Sequence, residues 1–244
     1  MQADTPPLTA AVSPAALGTA APSSPRRGRF VVLEGIDGCG KTTQLEALAD
    51  WLAGSGLLPA GARLIRTREP GATPLGTALR QLLLHAREEE APCATAELLL
   101  YAADRAQHVQ TVIRPALEAG HWVLSDRFVG STAAYQGHGR GLDGGLIGQL
   151  EAIATDGLQP DLTLWLDLPL EVSLARRRQR PADRIEAAGT AFLARVAAGF
   201  AIEAQQRGWM RIAAEAPPDQ VTAACRRALE QRLAHQAGPA GQLG

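Results

Sequence analysis

The fold of this chain is decided by one uninterrupted stretch, Arg29-Phe30-Val31-Val32-Leu33-Glu34-Gly35-Ile36-Asp37-Gly38-Cys39-Gly40-Lys41-Thr42. The part from Gly35 to Thr42 matches G-x-x-x-x-G-K-[ST], the pattern of a phosphate-binding P-loop. Glycines let the main chain of such a loop curl until its N–H groups point at phosphate oxygens, and the positive end of the following helix adds to the attraction. The stretch therefore predicts a nucleotide-binding site.

Lys41 is the only lysine of the chain, and every other permanently cationic side chain is an arginine. A guanidinium is a wide, planar fork, whereas an ammonium is a compact charge on a flexible stem that fits between the β- and γ-phosphates of a nucleotide. The sequence keeps lysine only in this loop, which favours a working phosphate site over a chance glycine-rich turn.

The residues around the loop have the order that a P-loop protein requires. Phe30 to Glu34 form a short apolar run, typical of a buried strand, directly before the glycines. After the loop, Leu45, Leu48 and Leu52 are spaced by three and four residues, which predicts an amphipathic helix ending near Gly54.

Similar apolar runs, bounded by glycine, proline or charge, predict further strands at 62–67, 122–125, 162–166 and 209–213, with helices between them. This alternation predicts the α/β class, with a five-stranded parallel sheet flanked by helices. Ligands of such sheets bind at the carboxyl ends of the strands, so we expect the functional residues there.

The composition indicates one soluble domain, since 46% of the 244 residues are hydrophobic, 20% are charged and the formal net charge is −1. This charge argues against a nucleic-acid coat protein, and no apolar run approaches the ~20 residues that cross a bilayer. Cys39, Cys93 and Cys225 are far apart and form no C-x-x-C pair, so neither a disulfide framework nor a zinc site is indicated. We expect reduced thiols and a cytoplasmic protein with no nucleic-acid or membrane partner.

The two ends of the chain differ from the rest in composition. Residues 1–28 are dominated by Pro, Ala, Thr and Ser, which predicts a disordered N-terminal tail. The tail lacks the apolar core of a secretion signal and the repeated arginines of a transit peptide, which favours a dispensable extension or a misassigned start. Residues 29–235 form the predicted folded domain, and 236–244 a flexible C-terminal tail.

Charged pairs follow two of the predicted strands. Arg68-Glu69-Pro70-Gly71 follows the second strand and Asp126-Arg127-Phe128 the third, so both should face the P-loop. An acid in this position holds Mg²⁺ directly or through water, and an arginine beside it takes a phosphate through two hydrogen bonds. Elsewhere an Asp-Arg pair is often only a salt-bridged loop anchor, but the neighbouring P-loop favours the functional interpretation.

The predicted helix at 94–114 carries Tyr101, Arg105 and His108 on one face, since they are spaced by four and three residues. A stacked base and a held phosphate are one explanation. The other is a partly buried ring, an arginine that reaches the surface and a hydrogen-bonded core histidine, which the spacing alone favours. Downstream, residues 131–137 offer hydroxyls, a phenol and an amide that could contact a base or a sugar, or form an ordinary polar loop.

Five arginines stand between Arg176 and Arg184, and Pro181 ends any helix there. The segment at about 176–187 is predicted to be a mobile lid that closes over a triphosphate and neutralises charge on the transferred group. A solvated helix end is the alternative. A nucleic-acid patch is disfavoured because no aromatic residues are interleaved.

These motifs, together with residues 134–142 and Asp183-Arg184-Ile185-Glu186, resemble those of the thymidylate kinase family in order and spacing over about 29–233. The resemblance implies the P-loop nucleoside monophosphate kinase fold. It also implies ATP- and Mg²⁺-dependent phosphorylation of dTMP to dTDP by a homodimer.

The resemblance further implies roles for individual residues on the donor side. ATP would bind the P-loop residues Gly35, Ile36, Asp37, Gly38, Cys39, Gly40, Lys41 and Thr42. Lys41 would lie between the β- and γ-phosphates, and Mg²⁺ would be held by Thr42 and Asp126. Because Gly38 and Cys39 stand where some relatives have a basic residue, lid arginines would supply the missing charge. The catalytic set would then be Lys41, Arg127, Arg178 and Arg180.

On the acceptor side, the resemblance implies a dTMP site made by Asp37, Arg80, Tyr101, Arg105, Arg127, Tyr135 and Gln136. Tyr101 would stack on thymine. Arg105 and Arg127 would hold the acceptor phosphate, with Arg80 as a further contact. Asp37 would approach the sugar, and Tyr135, supported by Gln136, would lie where a ribose 2′-hydroxyl would otherwise be.

Two other functions fit the P-loop. A different P-loop kinase could act on another nucleoside monophosphate or a coenzyme A precursor, and a panel of acceptors would separate the two. A nucleotide-driven switch or partitioning ATPase would instead respond to a protein or DNA partner. The chain has no asparagine and therefore lacks the Asn-Lys-x-Asp motif of ordinary GTPases.

Overall fold

The computed structural model describes residues 27–178 and 183–234. The predicted N-terminal tail up to residue 26, the C-terminal tail at 236–244 and Arg180 lie outside these residues, so the predictions for them stay untested. None of the helices in the described ranges is both long and apolar enough to cross a membrane.

Strands and helices alternate along the described chain, as the sequence predicts. They are β1 Phe30–Glu34, α1 Lys41–Gly54, β2 Leu64–Arg68, α2 Pro74–His85, α3 Ala94–His108, α4 Arg114–Glu118, β3 Trp122–Asp126, α5 Val129–Thr132, α6 Gly144–Thr155, β4 Leu162–Asp167, α7 Leu170–Arg177, α8 Thr190–Arg207, β5 Met210–Ala213 and α9 Pro218–Ala234. Two π-helical segments, Val109–Ile113 and Ala133–Gly139, follow α3 and α5, and short 3₁₀ turns form at Glu88–Glu90 and Glu186–Ala188.

The five strands form one parallel sheet in the order β2-β3-β1-β4-β5, which confirms the predicted fold class. The central strand β1 is buried along its whole length. Phe30 and Val32 belong to one apolar cluster, and Val31 and Leu33 belong to the other. Because both faces of the sheet are covered, β1 reads as a continuous apolar run rather than as an alternating one.

The P-loop lies where the strand order reverses. β1 pairs with β3 on one side and with β4 on the other, and open parallel sheets bind ligands in the crevice at such a point. α1 begins at Lys41 and buries Leu45, Leu48 and Leu52, as their spacing predicts. The glycine loop is thus held between the central strand and a helix that packs on the sheet.

Two segments differ from the predictions. The helix predicted at 94–114 extends to Glu118 and contains the π-helical segment Val109–Ile113. The polar-loop alternative for residues 131–137 is wrong, because these residues continue α5 into a π-helical segment in which Tyr135 and Gln136 are buried. Tyr135 packs there against Phe200 of α8, a neighbour distant in sequence that the local pattern does not reveal.

Candidate active site

The P-loop curls through backbone conformations that favour glycine. Gly38 and Gly40 have φ angles of 79° and 97°, a region in which any other side chain is strained. Lys41 follows at the first position of α1 and is only 6% exposed. Its Nζ donates hydrogen bonds to the carbonyl oxygens of Gly35 and Ile36, at 3.0 Å each. The ammonium thus rests on neutral acceptors of its own loop.

Asp126, the last residue of β3, contacts the loop through Thr42. The Thr42 hydroxyl donates to Asp126 Oδ2 at 2.9 Å. The other oxygen, Oδ1, is buried and has no hydrogen-bond partner within the described residues. A carboxylate with one unsatisfied buried oxygen beside a P-loop hydroxyl fits the oxygen ligand set of Mg²⁺, which takes few protein ligands and completes its shell with phosphates and water.

Two adjoining cavities open at this end of the sheet. The outer cavity, of about 460 Å³, lies over the P-loop and is lined by residues that include Lys41, Thr42, Arg68 and Asp126. The inner cavity, of about 90 Å³, is lined by residues that include Tyr101, Arg105, Tyr135 and Gln136. Both cavities are lined by Asp37, Glu69, Arg80, Arg127 and Asp183.

Arg127 is the centre of the junction between the cavities. Its backbone is left-handed, with φ 74°, which is unusual for a residue with a side chain. Its guanidinium forms an ion pair with Asp37, donates to Gly35 O at 3.1 Å and to Ser131 Oγ at 2.8 Å, and lies 5.2 Å from the centre of the Tyr135 ring. Four contacts fix its plane.

The charge states at the junction follow from this pairing. Burial alone would raise the pKa of Asp37, but the charges of Arg127 and Lys41 and the hydrogen bond from the Tyr135 hydroxyl hold that pKa well below its ordinary value. Burial, followed by the charge of Asp37, raises the pKa of Tyr135. Asp37 is therefore a carboxylate and Tyr135 a neutral phenol at physiological pH.

The walls of the inner cavity are held by buried carboxylates. Gln136 Nε2 donates to Glu97 Oε1 at 2.9 Å, and Arg140 and Arg184 also form ion pairs with Glu97. On the other side, Arg105 Nε donates to Glu69 Oε2 at 2.8 Å. The prediction placed Arg105 and Arg127 together on the acceptor phosphate, but only Arg127 lines both cavities, whereas Arg105 lines the inner cavity alone.

On the face of α3 that carries Tyr101, Arg105 and His108, two residues fit the ligand-binding explanation and one fits the core-packing explanation. Tyr101 and Arg105 line the inner cavity, as a binding role requires. His108 is fully buried, hydrogen-bonded to Glu69 and Thr67, and lines neither cavity, as the structural alternative expects.

Among the lid arginines, Arg176 and Arg177 line the outer cavity, and Arg177 forms a buried ion pair with Glu186. Arg178 is exposed and is absent from the walls of both cavities as the described residues define them. With Arg180 outside the description, the catalytic role of these two residues stays a prediction.

Three further residues belong to the site without a specific role predicted for them from the sequence. Arg68 lines the outer cavity, and its Nε is buried without a partner among the described residues. Glu69 and Glu97 are buried anchors for arginines. The position of Arg68 and Glu69 at the end of a strand predicted that they face the P-loop, as they do, whereas nothing in the sequence marked Glu97.

A P-loop, an acid–threonine pair beside it and a second cavity joined through shared arginines define the class of the protein. It is a P-loop kinase with the nucleoside monophosphate kinase fold. The family model of thymidylate kinase matches residues 33–225, and the chain belongs to this family. It is an enzyme that phosphorylates dTMP to dTDP with ATP, a step in dTTP synthesis.

Known proteins support this assignment over most of the chain. The chain is 67% identical to a thymidylate kinase of Parasynechococcus marenigrum (strain WH8102), over 84% of this chain and 99% of the relative. It is 69% identical to a thymidylate kinase of Synechococcus sp. (strain RCC307), over 80% of this chain and 92% of the relative. The solved structure of the thymidylate kinase from Ehrlichia chaffeensis matches with a TM-score of 0.68 and 31% identity, over 83% of this chain and 99% of that one.

Proposed function

We propose that ATP occupies the outer cavity and dTMP the inner cavity, so that the γ-phosphoryl group passes between them at the junction. The observation that carries this assignment is the concentration of guanidinium groups there. Burial and the neighbouring charges of Arg68 and Arg127 lower the pKa of Arg80, the third arginine of the group. Neighbouring guanidinium groups repel one another, and an anion bound between them removes this repulsion. The phosphoryl group in transfer is such an anion.

On the donor side, the P-loop amides and Lys41 bind the phosphates of ATP. The two carbonyl oxygens that hold Lys41 Nζ are neutral, so phosphate oxygens compete with them favourably for the ammonium. Thr42 Oγ1 and Asp126 would hold Mg²⁺, which would supply positive charge to neutralise the phosphates. The unpaired Oδ1 of Asp126 is the feature of this chain that supports the metal assignment.

On the acceptor side, dTMP lies with its phosphate at Arg127 and Arg80 and its base between the aromatic and polar walls of the inner cavity. Tyr101 supplies a ring for stacking, and the linked pair of Asp37 and Tyr135 lies at the sugar. Gln136 is fixed by Glu97 as part of the same wall. Arg105 remains a proposed dTMP ligand, placed farther from the P-loop than Arg127 because it lines the inner cavity alone.

No side chain needs to act as a general base. The second pKa of a phosphate monoester is about 6, so the attacking oxygen of dTMP is already ionised at neutral pH. Transfer then requires the two nucleotides in line and positive charge that neutralises the equatorial oxygens of the transferred group. The arginines of the junction, Lys41 and the lid supply these.

The test is ADP release from ATP and Mg²⁺ with dTMP, dUMP, dCMP and dGMP in parallel. We expect dTMP to give the highest kcat/KM. A higher value for another acceptor would overturn the assignment of the inner cavity.

We also propose that the chain forms a homodimer through α2, α3 and α6, which pack side by side. These helices expose large apolar side chains, namely Leu75, Leu82, Leu99, Leu146 and Ile153. Ile153 is 75% exposed, which a second copy of the same face would relieve. Sedimentation should show a dimer for the unchanged chain and a monomer for Ile153→Glu, and a monomeric unchanged chain at micromolar concentration would contradict the proposal.

A cytoplasmic location is part of the same proposal. Cys39, Cys93 and Cys225 are free thiols, as in proteins kept under reducing conditions. Cell fractionation with a tagged chain would test it, and recovery outside the cytoplasmic fraction would refute it.

A further inference from the structure

His108 lies behind the inner cavity and binds a carboxylate of its wall. Its Nδ1 is 2.9 Å from Glu69 Oε1, and its Nε2 is 2.7 Å from Thr67 Oγ1. Burial raises the pKa of Glu69, but the charge of Arg105 and the hydrogen bond from His108 outweigh burial and lower it. Glu69 is therefore a carboxylate that only accepts, so Nδ1 of His108 carries a proton and donates it.

The two oxygens of Glu69 are divided between two donors. Oε1 accepts from His108, and Oε2 accepts from Arg105 Nε at 2.8 Å. Arg105 then donates to Thr132 Oγ1 and to Phe128 O, at 3.0 Å each. A continuous chain of contacts thus runs from β2, through α3, to the segment after β3 on the other side of the inner cavity.

We infer that His108 is a positioning residue for the acceptor site: it holds one oxygen of Glu69 so that the other holds Arg105 against the inner cavity. The inference rests on the proposed assignment of that cavity to dTMP. Without the His108 donor, Oε1 is buried and unpaired, and the carboxylate turns toward the remaining N–H groups of Arg105. The guanidinium then leaves Thr132 and Phe128, and the cavity wall changes shape.

Two amide variants separate this role from simple packing. In His108→Asn the side-chain nitrogen lies near the position of Nδ1 and can still donate to Glu69. In His108→Gln it lies near the position of Nε2 and serves Thr67 instead. We expect His108→Gln to raise the KM for dTMP by ~10-fold, with kcat and the KM for ATP within about twofold of the unchanged enzyme. His108→Asn should restore most of the affinity for dTMP.

His121→Gln is the matched control. His121 is also buried and hydrogen-bonded, to Arg63, but it lines neither cavity among the described residues. Its replacement should lower the Tm without changing the KM for dTMP. If His108→Gln cannot be isolated folded, His108→Asn keeps the inference falsifiable, because it retains a donor to Glu69 Oε1 and a ~10-fold rise in its KM for dTMP would contradict the role.

Several outcomes would overturn the inference. If the Asn and Gln variants at position 108 raise the KM for dTMP equally, in proportion to their losses in Tm, His108 has a packing role only. A parallel rise in the KM for ATP would do the same. If His108→Gln is active and its KM for dTMP equals that of the original enzyme, the inference alone is overturned. If the original enzyme itself shows no dTMP-dependent activity, the proposed function is overturned as well.

Discussion

Replacing Asp104 with asparagine should stabilise the fold, by an amount that grows with pH. Asp104 is fully buried on α3, and its Oδ1 accepts a hydrogen bond from Gly71 N at 3.1 Å. Its Oδ2 has no partner within the described residues. Burial and the neighbouring charge of Glu69 raise the pKa of Asp104 from 3.8 to about 6. An asparagine keeps the acceptor for Gly71 and removes the unpaired charge.

The sign of the pH dependence follows from proton binding. Because the folded pKa exceeds the unfolded one, the folded chain binds more protons between 3.8 and about 6, and its stability falls as the pH rises through this interval. Relative to acid pH, this pKa difference lowers the free energy of unfolding by roughly 3 kcal/mol at pH 8 and by about half of that at pH 5. Asp104→Asn escapes this loss, so its advantage should be near zero in acid and largest above pH 6.

Urea unfolding followed by circular dichroism at pH 5 and pH 8 measures this difference directly. At pH 8 the gain also corresponds to a Tm about 6–12 °C higher for a chain of this size. Asp50→Asn, at an exposed position of α1, is the control and should change stability by less than about 0.5 kcal/mol at either pH. A gain of the same size at both pH values, or no gain at pH 8, would refute the reasoning.

Four further substitutions, at three positions, probe the outer cavity. Lys41→Ala and Lys41→Arg should both cut kcat by ~10³-fold, because neither offers a compact cation to the phosphates. Their circular dichroism spectra should be intact, and near-normal turnover in either variant would contradict the assigned role. Asp126→Asn should raise the Mg²⁺ concentration for half-maximal activity by ~10-fold, as titration of activity with Mg²⁺ would show, while an unchanged midpoint would argue against a metal role. Arg68→Gln should lower kcat/KM for dTMP by ~10²-fold, and steady-state kinetics that match the unchanged enzyme would show that Arg68 contacts neither phosphate.

Structural features that depend on residues close together in the sequence could be predicted. Strands predicted at 62–67 and 209–213 form at Leu64–Arg68 and Met210–Ala213. These are the two edge strands, and each keeps apolar residues beside an exposed arginine, Arg66 or Arg211, so the signal does not depend on knowing the partners. The P-loop could also be predicted from the sequence, since its strand, glycines and helix are contiguous. The π-helical segments gave no signal, because segments of 5 and 7 residues are too short to show a periodicity of their own.

The partners of the arginines could not be predicted. Spacing placed Arg105 on the functional face of α3, but its carboxylate, Glu69, lies 36 positions earlier, directly after β2. Glu97 gathers Gln136, Arg140 and Arg184 from positions that only the fold brings together. A buried charge is stable only when paired. The sequence shows that partners must exist without showing which ones.

The contrast between the lysine and the arginines now has a structural reason. Arg105 donates to three acceptors at once, and Arg127 is held by a carboxylate, a carbonyl oxygen, a hydroxyl and an aromatic face. A planar fork with several N–H groups suits such fixed positions, because each added contact costs little further ordering. Lys41 instead rests on two neutral carbonyl oxygens, which phosphate can replace. The chain therefore uses guanidinium groups where the acceptor site must be rigid, and an ammonium where the cation has to exchange partners as the nucleotide arrives.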